Sequence, residues 1–298
     1  MKHCAVLVLG YARPEFVLRR LQEIVQVNTG ELQIIVSIDK YEGLEHSRVT
    51  NEFRSLQERF QEYQWITNEQ RFGLVRHLTT RIKDVFENYE NLIIIEDDVS
   101  VSSEAVMDLA SAVASAEGKD FFTTGLFGAF PNPGLGKVAK NSWRRTPYFS
   151  AWGWAMNKKF WDIYDTEIVK NLGVQALRGR RGWERLNSHQ KKRWAFRFSR
   201  VESDPNYTWD YQMQFLTWLY ELEHKLPIWR LCDNEGFGDP RATNTRLRRP
   251  NWYVGTKATS RMRSDFAQPF HSADKFIRNV DSYTWIGDRL LFERMRNR

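Results

Sequence analysis

The chain has little cysteine. Its two residues, Cys4 and Cys232 in 298, form no Cys-x-x-Cys pair and belong to no Cys/His cluster, which argues against a zinc site or a disulfide framework. Two isolated thiols suit a reducing compartment. Long apolar runs are missing as well. Nothing approaches the roughly 20 apolar residues that cross a bilayer, and the apolar part of 4–10 is too short for a secretory leader. The expectation is a cytoplasmic protein, at most peripheral at the inner face of a membrane. No Gly-x-Gly-x-x-Gly follows the first predicted strand, so the usual dinucleotide fold is unsupported. A Gly-Lys-Ser/Thr phosphate loop, a Ser-centred elbow and a metal-binding His pair are also absent from the sequence. No period of 20–50 residues points to a repeat protein.

What is present argues for a folded chain with a polyanionic partner. Apolar residues make up 42% and aromatic residues 14%, including 12 Trp, too much for a disordered protein. Tryptophan fills cores, but its flat face also stacks on sugars, bases and cations. Lys and Arg number 44 against 37 Asp and Glu, a formal charge of +7. Much of the excess lies in 178–200 (RGRRGWERLNSHQKKRWAFRFSR) and after 241. A basic balance suits nucleic acid, an acidic membrane surface or a phosphorylated substrate; a solvated basic loop is the plainer alternative.

Hydrophobic periodicity alternates strand and helix from the start. Strands are predicted over 6–10, 32–39, 63–67, 92–96 and 121–127. Helices are predicted over 14–27, 44–61, 73–89 and from Ser102 or Ser103 to 116, the first beginning at a proline suited to a first turn. Such alternation predicts an α/β fold, with a mostly parallel sheet and helices on both faces. Beyond 130 the pattern changes. A loop is predicted over 131–136, a strand with a central glycine over 148–156, a short helix over 158–165, an aromatic-rich helix over 209–224, a Gly- and Asn-rich loop over 234–245 and a last helix over 284–295. The division expected is an α/β half over 1–130, continuous with an elaborated half over 131–298.

The most informative stretch is Leu92-Ile93-Ile94-Ile95-Glu96-Asp97-Asp98-Val99. A continuous apolar run reads as a strand buried on both faces. Three acids at its C-terminal end repel one another and lose hydration unless a cation or a donor-rich ligand neutralises them. Ligands of open α/β sheets bind outside the strand C-termini. Hard divalent ions such as Mn²⁺ or Mg²⁺ take carboxylate oxygens and keep positions open for phosphate. Asp39, at the end of the second strand, is a candidate acceptor for a base or ribose, against the alternative of a turn acid. Arg13, in the first strand-helix loop, is placed where an anionic phosphate is favoured, although a surface arginine is the plainer reading of that residue alone. Asp210, flanked by aromatics in Tyr207-Thr208-Trp209-Asp210-Tyr211, is a candidate general base, because partial burial raises a carboxyl pKa toward working range. A helix N-cap or first-turn acid is the simpler alternative.

Together these segments resemble the GT-A glycosyltransferases, and within them the inverting N-acetylglucosaminyltransferase I group. The resemblance rests on Val8-Leu9-Gly10-Tyr11-Ala12-Arg13 with Arg19-Arg20-Leu21, on Ile35-Val36-Ser37-Ile38-Asp39, on Ile95-Glu96-Asp97-Asp98 and on Trp209-Asp210. Val75-Arg76-His77 and Ala151-Trp152-Gly153-Trp154 are similar to further family segments. The match covers residues 4–245 in patches. It implies a GT-A (Rossmann-like) fold and a UDP-sugar donor carrying GlcNAc or a similar hexose. By the same resemblance Arg13 contacts the diphosphate, Asp39 and His77 hold the uracil side, Asp97 binds ribose and Glu96 the sugar hydroxyls. Trp209 packs on the sugar, Gly153 belongs to the donor site, Asp98 is the direct ligand of Mn²⁺ (or Mg²⁺), and Asp210 deprotonates the acceptor. The loop over 236–244 closes over the donor. The acceptor implied is a glycan or lipid-linked saccharide for a cell-surface polysaccharide, with 178–200 as a candidate membrane contact and no nucleic-acid partner. Two readings compete: a sugar-phosphate nucleotidyltransferase, and a non-enzymatic binder of nucleic acid or glycan.

Overall fold

Alternate residues of the central strands go to opposite faces of the sheet, and each face meets its own helices. Strand β1 (Cys4–Gly10) and strand β4 (Asn91–Glu96) are buried almost throughout. Val6, Val8, Ile93 and Ile95 join one core cluster with Val17, Leu21 and Leu109. Ala5, Leu7, Leu92 and Ile94 join another with Leu78, Ile82, Phe215 and Trp218. Two-sided burial explains the unbroken apolar runs seen in the sequence.

The computed structural model describes residues 4–25, 32–115, 120–128, 143–228 and 230–242, with the backbone of 267–269. β1 is followed by α1 (Pro14–Val25), β2 (Gln33–Ile38), α2 (His46–Arg59), β3 (Gln64–Thr67), α3 (Leu74–Phe86) and β4. Then come β5 (Val99–Val101), α4 (Ser103–Ala114), β6 (Thr123–Gly125), β7 (Trp143–Thr146) and β8 (Trp154–Asn157). Helices α5 (Ile168–Leu172), α6 (Arg181–Glu184), α7 (Ser188–Ser203) and α8 (Asp210–Leu219) precede β9 (His224–Pro227), β10 (Cys232–Asn234) and β11 (Ala267–Pro269). The main sheet has the order β11-β7-β9-β6-β8-β4-β1-β2-β3. β3, β2, β1 and β4 run parallel, β8 is antiparallel to β4 and β6, and β7 is antiparallel to β9. The fold is therefore the α/β class expected, a largely parallel sheet with helices on both faces.

Caps follow local chemistry. Ser102 accepts from the Ala105 N–H at 3.2 Å, and Asn187 with Gln190 closes a capping box on α7.

Several expectations are corrected beyond 130. The helix expected over 209–224 ends at Leu219. Glu221 takes a left-handed φ of 54°, which turns the chain so that His224 opens β9 against Thr123 of β6. The strand expected over 148–156 is confined to Trp154–Asn157, because Gly153 has φ +62° and Phe149 N–H donates to the Gln214 side chain instead of a strand. The segment 178–200 is mainly helical: Trp183, Trp194 and Phe198 are buried beside α8, while Arg178, Arg180, Arg185 and Lys192 are exposed. The predicted loop over 131–136 and helix over 284–295 lie outside the described residues.

Gly153 is a test of this backbone. An alanine Cβ would sit 3.1 Å from Leu126 Cδ1, and a left-handed φ costs an L-residue about 1–2 kcal/mol. Gly153→Ala is expected to lower stability by at least that, measured as a shift of the urea midpoint at unchanged slope.

Candidate active site

Parallel pairing brings the ends of three strands to one edge. Gly10 of β1 lies opposite Ile38 of β2, and Leu9 opposite Glu96 of β4. The residues that follow these ends, Tyr11–Arg13, Asp39 and Asp97–Asp98, line a cleft of about 370 Å³. Glu96, His77, Arg71, Trp152, Asn234 and Arg241 also line it, as do Trp209 and Asp210 at the start of α8. Every residue proposed for the site from sequence reaches this cleft except Gly153, whose carbonyl instead accepts from Leu126 N–H at 2.8 Å.

The acids are gathered around one guanidinium. Arg13 donates through Nε to Asp97 Oδ2 at 3.1 Å, through Nη2 to Asp97 Oδ1, and through Nη2 to Asp98 Oδ2 at 3.1 Å. Asn234 reaches Asp98 Oδ1 at 3.5 Å. Burial pushes the Glu96 carboxyl far above its ordinary range, helped by its acidic neighbours Asp98, Asp97 and Asp210. Burial likewise pushes Asp97 up to about 7 against the pull of Arg13, and raises Asp98. At both aspartates burial outweighs the pull of Arg13 and Arg20.

A second arginine, Arg20, stands behind the tip. It is fully buried and pairs with Glu23 at 3.0 Å and Glu235 at 3.2 Å, while its Nη1 donates to the Asp97 carbonyl at 3.3 Å. Glu23 in turn accepts from Ser100 and from the Val101 N–H. Helix α1, β5 and the turn after β10 are joined through these charges. Arg20 was visible in sequence only as half of an Arg-Arg pair.

Asp39 is a tether. Its Oδ1 accepts from Lys40 N–H at 3.1 Å, Asn68 Nδ2 at 2.9 Å and Phe72 N–H at 2.9 Å, and its Oδ2 accepts from Gly73 N–H at 2.9 Å. The carboxylate fixes the turn that leads into α3 and so sets the cleft wall that carries Arg71. His77 shares a 2.7 Å hydrogen bond with Ser37 Oγ, and burial lowers its pKa to about 4, so it is neutral at pH 7.

On the opposite wall, Trp209 is 2% exposed and stacks on Trp154 with centroids 5.2 Å apart, while Phe149 meets both rings edge-on. One of its faces is thereby used in packing. Trp152 is half-buried in the cleft, in edge contact with Phe127 and Phe237. Asp210 has its carboxyl pKa raised, chiefly by burial. Arg71 and Asn234 were not singled out from sequence, whereas Trp152 falls in the resembling segment 151–154 and Arg241 in the loop over 236–244. Arg71, Trp152 and Arg241 come from loops, where neither periodicity nor spacing carries a signal, and Asn234 ends the three-residue β10.

No protein-family model matches the chain, and no curated protein matches it. Solved structures similar to it include a mannosyltransferase from Pyrobaculum calidifontis in complex with GDP-Man and Mn²⁺, at 12% identity over 72% of this chain and 69% of that one, TM-score 0.41. Another is GalNAc-T7 with UDP, GalNAc and Mn²⁺, at 11% identity, 76% and 42% coverage, TM-score 0.46. A third is TarS from S. aureus in complex with UDP, at 11% identity, 57% and 48% coverage, TM-score 0.37. The chain thus spans less than half the length of the last two.

Proposed function

We propose that the chain is a metal-dependent glycosyltransferase that inverts the anomeric centre. It moves GlcNAc or a similar hexose from a UDP-sugar to a glycan or lipid-linked acceptor. The observation that carries this reading is one cleft at the strand C-termini in which Glu96, Asp97 and Asp98 cluster with Arg13 while Asp210 lines the other wall. Four carboxyl groups with pKa values raised by burial in one cleft support this reading, because acids and bases that handle protons are tuned in this way.

The donor set suits a hard divalent ion. Asp98 offers a carboxylate oxygen at the cleft, and its burial makes a nearby dication favourable. Among the described residues no three His, Cys, Asp or Glu converge as a ready-made cage. Such a site fits an ion that brings most of its oxygens with it, as an ion held on a nucleotide diphosphate does. When bound, Mn²⁺ or Mg²⁺ supplies electrostatic stabilisation for charge on the departing diphosphate.

The remaining work falls to side chains. Arg13 bonds the carboxylates of the acid tip at the N-terminus of α1, where a diphosphate oxygen is also favoured. Asp97 and Glu96 offer acceptors to ribose and sugar hydroxyls. Asp39 sets the wall at the base end, beside a neutral His77. Asp210 takes the proton of the attacking acceptor hydroxyl, a role that a raised pKa favours. The exposed arginines of 178–200 are available to an anionic acceptor or membrane surface. No helix among the described residues is long and apolar enough to cross a membrane.

The test is a thermal-shift series. UDP-sugars with Mn²⁺ should raise the melting temperature, since a ligand specific to the native state stabilises it. The Asp98→Ala variant, compared with its own ligand-free melting temperature, should lose the metal-dependent part of that shift. A wild-type protein that ignores every nucleotide sugar with Mn²⁺ would end the proposal.

A further inference from the structure

The turn before α8 is built to hold one oxygen of Asp210. Thr208 is 3% exposed, and its hydroxyl donates to Asp210 Oδ1. The Tyr211 N–H donates to the same oxygen at 3.0 Å. The turn itself is pinned: Asn206 N–H donates to Asp204 Oδ1 at 3.0 Å, and Gln212, fully buried, donates from Nε2 to the Pro205 carbonyl at 2.6 Å. Gln212 Oε1 accepts from the Tyr164 hydroxyl at 2.5 Å, which fastens the turn to the chain following β8. Both donors converge on Oδ1 of a carboxylate that lines the cleft.

We propose that Thr208 is a positioning residue for Asp210: by holding Oδ1 it presents Oδ2 to the acceptor hydroxyl. This rests on the reading of Asp210 as the base. In the step served, the acceptor O–H proton passes to Oδ2 and the acceptor oxygen bonds to the anomeric carbon. The bond from that carbon to the diphosphate oxygen breaks, and its electron pair leaves with the diphosphate. A free carboxylate rotates about its terminal torsion, which is broad and roughly two-fold. Fixing one oxygen removes that freedom before the substrate arrives, as near-attack geometry requires.

The charged groups around Asp210 come from three directions. Glu96 of β4 and Asp210 repel each other, Arg197 of α7 attracts the carboxylate, and Tyr164 senses its charge. Burial raises the Asp210 pKa, while the Thr208 hydroxyl works against that rise by stabilising the ionised form. Removing the hydroxyl therefore moves the acidic limb of the rate profile to higher pH.

The experiment compares Thr208→Val, Thr208→Ser and Asp210→Asn in a transfer assay with UDP-sugar and Mn²⁺, with melting curves for each. Thr208→Val is expected to lower kcat about 10- to 100-fold, the worth of a hydrogen bond to a charged group. The KM for donor stays unchanged, the acidic limb shifts upward, and Thr208→Ser restores both rate and limb. A Thr208→Val enzyme with wild-type kcat and pH profile overturns the proposal, while an inactive Asp210→Asn beside it leaves the base assignment standing. A fall in kcat with no movement of the limb and no rescue by serine also overturns it, because that is loss of structure alone. Wild-type transfer by Asp210→Asn overturns the base assignment itself.

Discussion

Asp210→Asn is expected to cost about 10³-fold in kcat, within the range for loss of a general base. The substitution keeps shape and volume and retains an oxygen that can accept from Thr208 and Tyr211. It removes the negative charge that would take up the acceptor proton. Donor binding should be unaffected or slightly tighter, because Asp210 adds to the repulsion that raises the Glu96 pKa. The measurement is steady-state transfer alongside calorimetric titration of UDP-sugar and Mn²⁺. A variant with wild-type kcat would remove Asp210 from the chemistry, whereas lost binding with intact turnover at saturation would place it among the donor contacts.

Trp218→Ala carries the largest expected loss of stability. Trp218 is wholly buried at the centre of the helical layer, in edge contact with Tyr148, Trp183, Trp194 and Phe198. Its indole N–H donates to the Pro147 carbonyl at 3.1 Å, and Gly182 leaves room for the ring: a Cβ there would meet Trp218 Cδ1 at 2.3 Å. Truncating a buried Trp costs about 3–5 kcal/mol, because a cavity replaces dispersion contacts on several sides. For a chain of this length the melting temperature should fall by about 10 °C. The loss should appear in chemical denaturation as well as in melting. A change below about 1 kcal/mol would mean that the four aromatic neighbours collapse into the space. Trp218 is remote from the acid tip in sequence, yet α8 bears Asp210 on its first turn, so activity should decline with the fold.

Why the first half of the chain is readable from its residues is clear in β4. Leu92–Ile95 is apolar at every position because helices cover both faces, and the run stops where the sheet edge begins. The site inherits that legibility: Glu96–Asp98, Asp39 and Arg13 follow strand ends and could be placed before any coordinates. The second half resists for physical reasons. β7, β9 and β10 are three or four residues long, too short for alternation to register, and they are set by partners far away in sequence. His224 falls at the end of the helix predicted over 209–224 but, like Lys225, is a buried strand residue, and it shares hydrogen bonds with Thr123 and Thr217. Trp209 shows the limit for site roles. Its adjacency to Asp210 says nothing about which face of the ring Trp154 occupies.

The direction of β8 has an outcome for how the cleft can diversify. β4 leaves the sheet at the edge where β8, running the other way, enters it: Ile94 lies opposite Trp154. Glu96–Asp98 sit on the outgoing chain and Ala151–Trp152 on the incoming one, neighbours in space but far apart along the polypeptide. Length changes before Trp154 can therefore remodel one lip of the opening without shifting the register of the other. Under the function proposed above, rewriting that lip would alter which saccharide is accepted while Glu96–Asp98 stay as they are.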